Sequence, residues 1–209
     1  MPDEDRPGLA VDRPALSEIV GRHLGVCARF SDVVAVAHGR WDHPSPCAGW
    51  DARAVVGHVI GFHDVLVLAP FGRRPARRGT GPGSRWEATA AAVEATLRHI
   101  ERGPVEAHER SAASALVRLL PAITTDVLVH TWDLARAVGT AAALDPAACT
   151  IACEGVRRHA AEVRASGMFA PPVPVPDTAG VEDRLVALLG RQPRWEPPAS
   201  SGTSASPLS

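Results

Sequence analysis

The chain contains no lysine, no asparagine and no tyrosine, and all 22 of its basic residues are arginine. A very GC-rich coding sequence supplies those residues reluctantly, so their absence describes the host genome and not a site. An excess of one charge is also missing. With 22 basic against 23 acidic residues the formal net charge is −1, which excludes the broad electropositive surface of a nucleic-acid or anionic-membrane binder. The run Arg73-Arg-Pro-Ala-Arg-Arg78 is a local exception and, set among glycine and proline, reads as a solvated loop. No basic N-terminus precedes an apolar segment and no apolar run reaches about eighteen residues, so neither a secretory signal nor a membrane span is expected. The expected compartment is the cytoplasm. The four cysteines, Cys27, Cys47, Cys149 and Cys153, form no CxxC pair and read as free thiols. Alternating strand patterns and internal repeats are absent too, which leaves an all-α fold.

Residues 1–13 and 192–209 lack periodicity and read as disordered tails around a single domain over 14–191. Within it, Leu16, Ile19, Val20, Leu24, Cys27 and Phe30 recur at three- and four-residue steps and predict a helix over about 14–38. The turn-rich stretch His43 to Trp50 then leads to Asp51, a good N-cap, with Trp50 and Val55 placed as a hydrophobic staple. Helix two follows over about 52–69, its stripe reading Val55, His58, Val59, Phe62, Leu66 and Ala69. Ser84-Arg-Trp-Glu87 reads as a capping box that opens a helix over about 85–102, closed by Gly103-Pro104. A fourth helix is expected over about 112–138, with Pro121 kinking it or marking its true start, and a fifth over about 146–165 behind Asp145-Pro146. The Pro-rich piece Phe169 to Pro176 should be extended, and a short helix is expected over about 181–189. The sum is a four-helix bundle core with an additional C-terminal helix and an extended Pro-rich segment.

The polar residues on these stripes carry the functional reading. Asp126 and His130 stand four apart on helix four, about 40° of rotation and roughly 6 Å of rise, so carboxylate and imidazole can converge on one point. His58 lies on the equivalent stripe of helix two. A buried carboxylate is costly unless paired, and a divalent cation would pair it. Two imidazoles and a carboxylate suit zinc first, with a fourth position open, and also suit iron or nickel. The alternative from spacing is a hydrogen-bonded Asp126–His130 pair beside a satisfied core histidine at 58. His63, five residues after His58 and about 140° around the helix, is expected to face elsewhere. Cys149 and Cys153 read as small buried residues and Cys47 as a packed loop thiol. Asp133 and Arg136 are expected to pair at i,i+3, and Trp132 is either structural or a wall of the pocket.

Two segments resemble a known family. Pro44-Ser-Pro-Cys-Ala-Gly-Trp-Asp-Ala-Arg-Ala-Val-Val-Gly-His58-Val-Ile-Gly61 is similar to the "TPCxGW…DLxxHVxG" element of the DinB-like metalloenzymes, and Asp126-Val-Leu-Val-His-Thr-Trp-Asp-Leu-Ala-Arg136 to their "(D/E)LLVHxWDLARA" element. Phe169 to Pro176 and Asp183 to Gly190 resemble the tail of the subgroup related to the N-terminal domain of mycothiol-dependent maleylpyruvate isomerase, so the likeness spans about residues 14–195. It implies a helical bundle with a divalent metal held by His58, Asp126 and His130, Asp126 standing where members often have Glu. The isomerase has a further C-terminal domain that contributes to its active site, so that one activity is not expected here. The resemblance and the GC-rich composition together imply a metal-dependent enzyme, a transferase or isomerase that uses mycothiol or a similar thiol on a small-molecule substrate. The alternative is a non-catalytic metal- or ligand-binding bundle, a stress-response or sensing module that could form a homodimer through a helix face. Neither reading calls for nucleic acid or membrane.

Overall fold

Apolar residues at helical spacing build seven α-helices among the residues that the computed structural model describes, which are 13–76, 79–103 and 106–198. They are α1 (Arg13–Val36), α2 (Ala52–His63), α3 (Pro82–Arg102), α4 (Arg110–Val138), α5 (Pro146–Arg158), α6 (Ala160–Ser166) and α7 (Val181–Leu188). There is no strand among these residues, and the fold is the all-α helical bundle expected. Helix α1 packs against α3 and α4, and α2 packs against the same two, so α1 faces α2 across the bundle. Helices α5 and α7 pack on each other and on α4. The N-terminal tail expected for 1–13 and most of that expected for 192–209 lie outside the described residues, as do Arg77, Arg78 and Pro104. The described chain continues past 191 far enough for Trp195 to pack against the core.

The caps show which sequence signals act. Asp51 accepts from Ala54 N at 2.7 Å and Asp145 from Ala148 N at 2.6 Å, each holding a backbone donor that the first helical turn leaves without a partner. Ser84 does not open α3. The helix begins at Pro82, whose missing N–H costs nothing at the first position, and the Ser84 hydroxyl turns back to Gly81 O at 3.1 Å. Pro121 does not begin α4 either: the helix starts at Arg110 and runs through it. Pro121 is exposed, and its missing N–H leaves the carbonyl one turn earlier without its helical donor. Helix α2 changes type at Asp64, passing into a π-turn (Asp64–Leu68) and a 3₁₀ turn (Ala69–Phe71). Within this stretch Pro70 supplies no N–H to the carbonyl of residue 66. The single helix expected over 146–165 divides at His159, and α6 meets the core through the partly buried Val163 with no fully buried residue.

Two stretches, Ala52–Phe71 and Arg110–Val138, are long and apolar enough to cross a membrane by length and composition alone, the first at a mean hydropathy of 1.7. Neither is a run free of polar groups, and both turn their apolar stripes toward the other bundle helices. The core they form has two parts. One cluster joins Val26 to Ala37 of α1 with Ala52 to Ile60, Val127 to Val138, α5 and α7. The other joins Leu16 and Val20 with Val67, Leu68, Val93 to Ile100 and Ala113 to Ile123. At the level where the clusters meet, His23, His63, Thr89 and Thr124 are all buried.

Beyond α7 the chain turns on Gly190, at φ +81°, and an added Cβ there would lie 2.6 Å from Ala170 O in the extended Pro-rich strap. Gly190→Ala should therefore cost about 1–3 kcal/mol and lower the melting temperature by several degrees. Gly21→Ala, in the interior of α1 with no atom near the new methyl, should raise stability by about 0.5–1 kcal/mol. Thermal melts of the two variants beside the parent check both signs.

Candidate metal centre

Helix α2 offers His58 and helix α4 offers Asp126 and His130, one turn apart on one face. The structure brings all three together. His58 Nε2 lies 3.3 Å and His130 Nε2 3.5 Å from the same oxygen, Asp126 Oδ1, and the three ligand atoms all fall within 4.8 Å of one another. Asp126 and His130 are buried, while the His58 side chain keeps 29 % of its surface. Asp126 Oδ2 is buried with no hydrogen-bond partner. Burial alone would raise the Asp126 carboxyl, but hydrogen bonds from His130 and His58 outweigh it and hold the group well below the usual carboxylate range.

His130 is oriented from behind. Its Nδ1–H donates to Asp133 Oδ2 at 3.0 Å, which turns Nε2 toward Asp126. Asp133 is fully buried and takes Arg191 as well, Nη2 at 2.8 Å and Nε at 3.3 Å. The expected Asp133–Arg136 pair does not form, because Asp133 points inward to His130 while the Arg136 guanidinium lies over the Trp132 ring, 5.1 Å from its centroid. Burial opposes a charge on His130, yet its bonds to Asp126 and Asp133 push the imidazole up to about 9.

The aromatic wall is Trp50, not Trp132. The Trp50 ring stacks on His130 at 5.6 Å and tilts over His58 at 5.0 Å, and Phe62 stacks on the other side of His58 at 5.3 Å. Bonds within the 43–52 loop, Ser45 N to Trp50 O and Ala52 N to His43 O, both 2.9 Å, hold Trp50 there. Trp132 is two residues from His130 and so on another face of α4, wholly buried with its ring N–H unpartnered. His63 faces away from the triad as expected, but into the bundle, against His23 and Cys27. Cys149 and Cys153 are buried, small and unpaired. Cys47 lies 3.8 Å from Arg191 Nη2, and burial followed by the charge of Asp133 pushes its thiol up, which keeps it protonated. A cavity of about 320 Å³ between α1, α4 and residues 143–146 is lined by none of the three converging side chains.

Sequence reading placed the triad and missed its surroundings. Asp133 follows His130 at i+3, a spacing that puts it on the same face; nothing local marks Arg191, which arrives from 58 residues away.

The pH dependence of stability follows from the shifted histidines. Burial lowers His23 and His63, so below their ordinary value near 6.5 the unfolded chain takes up protons that the folded one refuses. His130 is raised, so its contribution is complete below about 6.5 and is lost as the pH climbs through about 9. With metals chelated, denaturant stability should peak near neutral pH and fall on both sides. His130→Gln should flatten the alkaline limb and leave the acid one, which titration by circular dichroism measures.

Comparison with known proteins gives the family of the chain. Residues 24–135 match the family model of the mycothiol maleylpyruvate isomerase N-terminal domain. Two proteins of Mycobacterium tuberculosis, from strains CDC 1551 / Oshkosh and ATCC 25618 / H37Rv, are each 30 % identical over 167 residues, covering 72 % of this chain and 85 % of theirs; both carry the name "uncharacterized protein". No solved structure matches. The chain belongs to the mycothiol maleylpyruvate isomerase N-terminal domain family, within the DinB-like superfamily.

Proposed function

We propose that His58, Asp126 and His130 hold a divalent metal ion, zinc before iron or nickel, and that the site serves a thiol-dependent transferase or isomerase acting on a small molecule in the cytoplasm, with mycothiol as the thiol. One observation carries the metal: a buried carboxylate oxygen faced by two imidazole nitrogens, while the other carboxylate oxygen has no partner at all. Donors about 2.0–2.1 Å from a tetrahedral zinc stand about 3.3 Å apart, and the two observed N–O separations are 3.3 and 3.5 Å. Three protein donors would leave room for a further ligand, and a zinc ion held by them would lower the pKa of a water or thiol or polarise a carbonyl.

The protein's own groups supply orientation and access. Asp133 fixes His130 in the tautomer whose Nε2 is free to bind, and Arg191 fixes Asp133. Trp50 and Phe62 flank His58, the partly exposed ligand, and so flank the side from which a substrate reaches the site. Support for the thiol comes from the family's description, mycothiol maleylpyruvate isomerase. A second reading, a non-catalytic metal- or ligand-binding bundle, has its own support: Asp133 and Arg191 satisfy each other, and among the described residues no further ionisable group makes a hydrogen bond or ion pair with the triad.

Metal analysis of the purified chain together with calorimetry of thiol binding tests the reading. Bound metal should fall in His58→Ala, and Asp133→Asn should weaken binding about 10–100-fold. Because metal must displace the His130 proton, affinity should rise about tenfold per pH unit up to about 9 and then level. A parent protein that binds neither metal nor thiol would overturn the proposal; metal without thiol would favour the non-catalytic bundle.

A further inference from the structure

A second cluster of donor side chains lies inside the bundle, where α1 and α2 face each other. His23 and His63 are wholly buried and Cys27 is 5 % exposed. The two imidazoles meet Nε2 to Nε2 at 3.2 Å, and Cys27 Sγ sits 3.4 Å from His23 Nε2 and 3.8 Å from His63 Nε2.

The outer nitrogens fix where the protons are. His63 Nδ1 is 2.7 Å from Val59 O, a carbonyl that only accepts, so Nδ1 carries the hydrogen. His23 Nδ1 is 3.0 Å from Thr124 Oγ1, whose own hydrogen goes to Leu120 O at 2.7 Å, so this Nδ1 is also the donor. Both neutral rings therefore turn an Nε2 lone pair toward the other, with no hydrogen between them. The Cys27 S–H can donate weakly to one and leaves the second unpaired, at a cost of about 1–3 kcal/mol. A proton shared by the rings would create an imidazolium in a site that water does not reach, and burial pushes both histidines down.

The structure assigns a second metal site, distinct from the His58 centre: we infer that His23, His63 and Cys27 bind a thiophilic d¹⁰ cation, copper(I) or zinc(II), through two Nε2 atoms and one Sγ. Binding replaces the thiol proton, which leaves to solvent as the metal–sulfur bond forms, and no electron is transferred. Two imidazoles with one thiolate are donors that such cations prefer. Copper(I) would make the group neutral, the smaller burden in a closed site, whereas zinc would leave one positive charge and seek a fourth donor. Thr89, on the helix whose Trp86 ring meets His63 at 5.6 Å, is wholly buried at this level with an unpartnered hydroxyl. The same geometry explains the orientation of both histidines: each Nδ1 is anchored as a metal-binding histidine's usually is.

The test uses the full chain carrying His58→Ala, which disables the other centre, so the result is independent of the proposed function. Anaerobic cobalt(II) should bind with a sulfur-to-cobalt charge-transfer band and raise the melting temperature by several degrees. Adding Cys27→Ser should abolish both. Should the serine variant fold poorly by circular dichroism, His23→Gln, which keeps a donor for Thr124, takes its place with the same expected loss. Competition by zinc(II) and by copper(I) shows which of the two binds more tightly. No band in the His58→Ala chain, or a band that survives both second substitutions, would overturn the site.

Discussion

The bundle's core is interrupted at mid-height by polar groups that water does not reach, and the rest of the structure is arranged around satisfying them. Above and below, two apolar clusters close by ordinary ridge-into-groove packing. Between them stand imidazoles, threonines and a carboxylate whose solvation has been removed. A hydrocarbon layer of the same shape would be cheaper, since a buried ion left without its counter-charge loses several kcal/mol. Helices α2 and α4 carry this burden together, and each is shaped by it. Helix α2 changes to a π-turn immediately after His63, whose Nδ1 has taken the Val59 carbonyl. Helix α4 keeps Thr124 and Thr131 bonded back to its own carbonyls, so that neither hydroxyl competes for the site.

The C-terminal segment is part of the same arrangement. Arg191 is buried and answers Asp133, and Asp133 sets the ring of His130, so a residue beyond α7 decides where a nitrogen on α4 points. Gly190 makes this possible, because only a residue without Cβ can turn there against Ala170 and bring Arg191 back into the bundle. The Pro-rich strap, held to α7 through Val173 N and Ala187 O at 2.8 Å, therefore supports the site without touching it. Truncation near residue 190 would remove the guanidinium that answers Asp133 and leave this buried carboxylate with His130 alone, which couples the turn after α7 to the orientation of His130.

Much of this was legible in the sequence, and the reason is locality. Asp126 and His130 are one turn apart, so their convergence is a property of any helix. His58 could be placed because its neighbours Val55, Val59 and Phe62 mark the buried stripe. Caps at Asp51 and Asp145 are local as well. What could not be read depends on pairing between distant segments: Arg191 with Asp133, Trp50 with two imidazoles, and His23 with His63. Trp50 reads as a staple residue because its nearest sequence partner is Val55, and only the folded 43–52 loop shows its ring against His58 and His130. His23 sits unmarked in an apolar stripe, since nothing on α1 signals that another histidine lies across the bundle.

The two donor clusters differ in chemistry in the way their positions demand. They are linked through α2, with His58 and His63 five residues apart, and through α4, with Thr124 two residues before Asp126, and the charges of Asp126 and His58 both reach His63. Yet one offers a hard carboxylate oxygen and an imidazole open to solvent, and the other a soft sulfur with no exposed edge. A cation held by the first set can exchange a ligand with the outside, which is what reactive centres need. A cation held by the second would be closed off from solvent and would join α1 to α2 at the level where the apolar core is weakest. Burial of polar groups, which destabilises the bundle at that level, thus supplies the donors that a cation would turn into a cross-link between opposite helices.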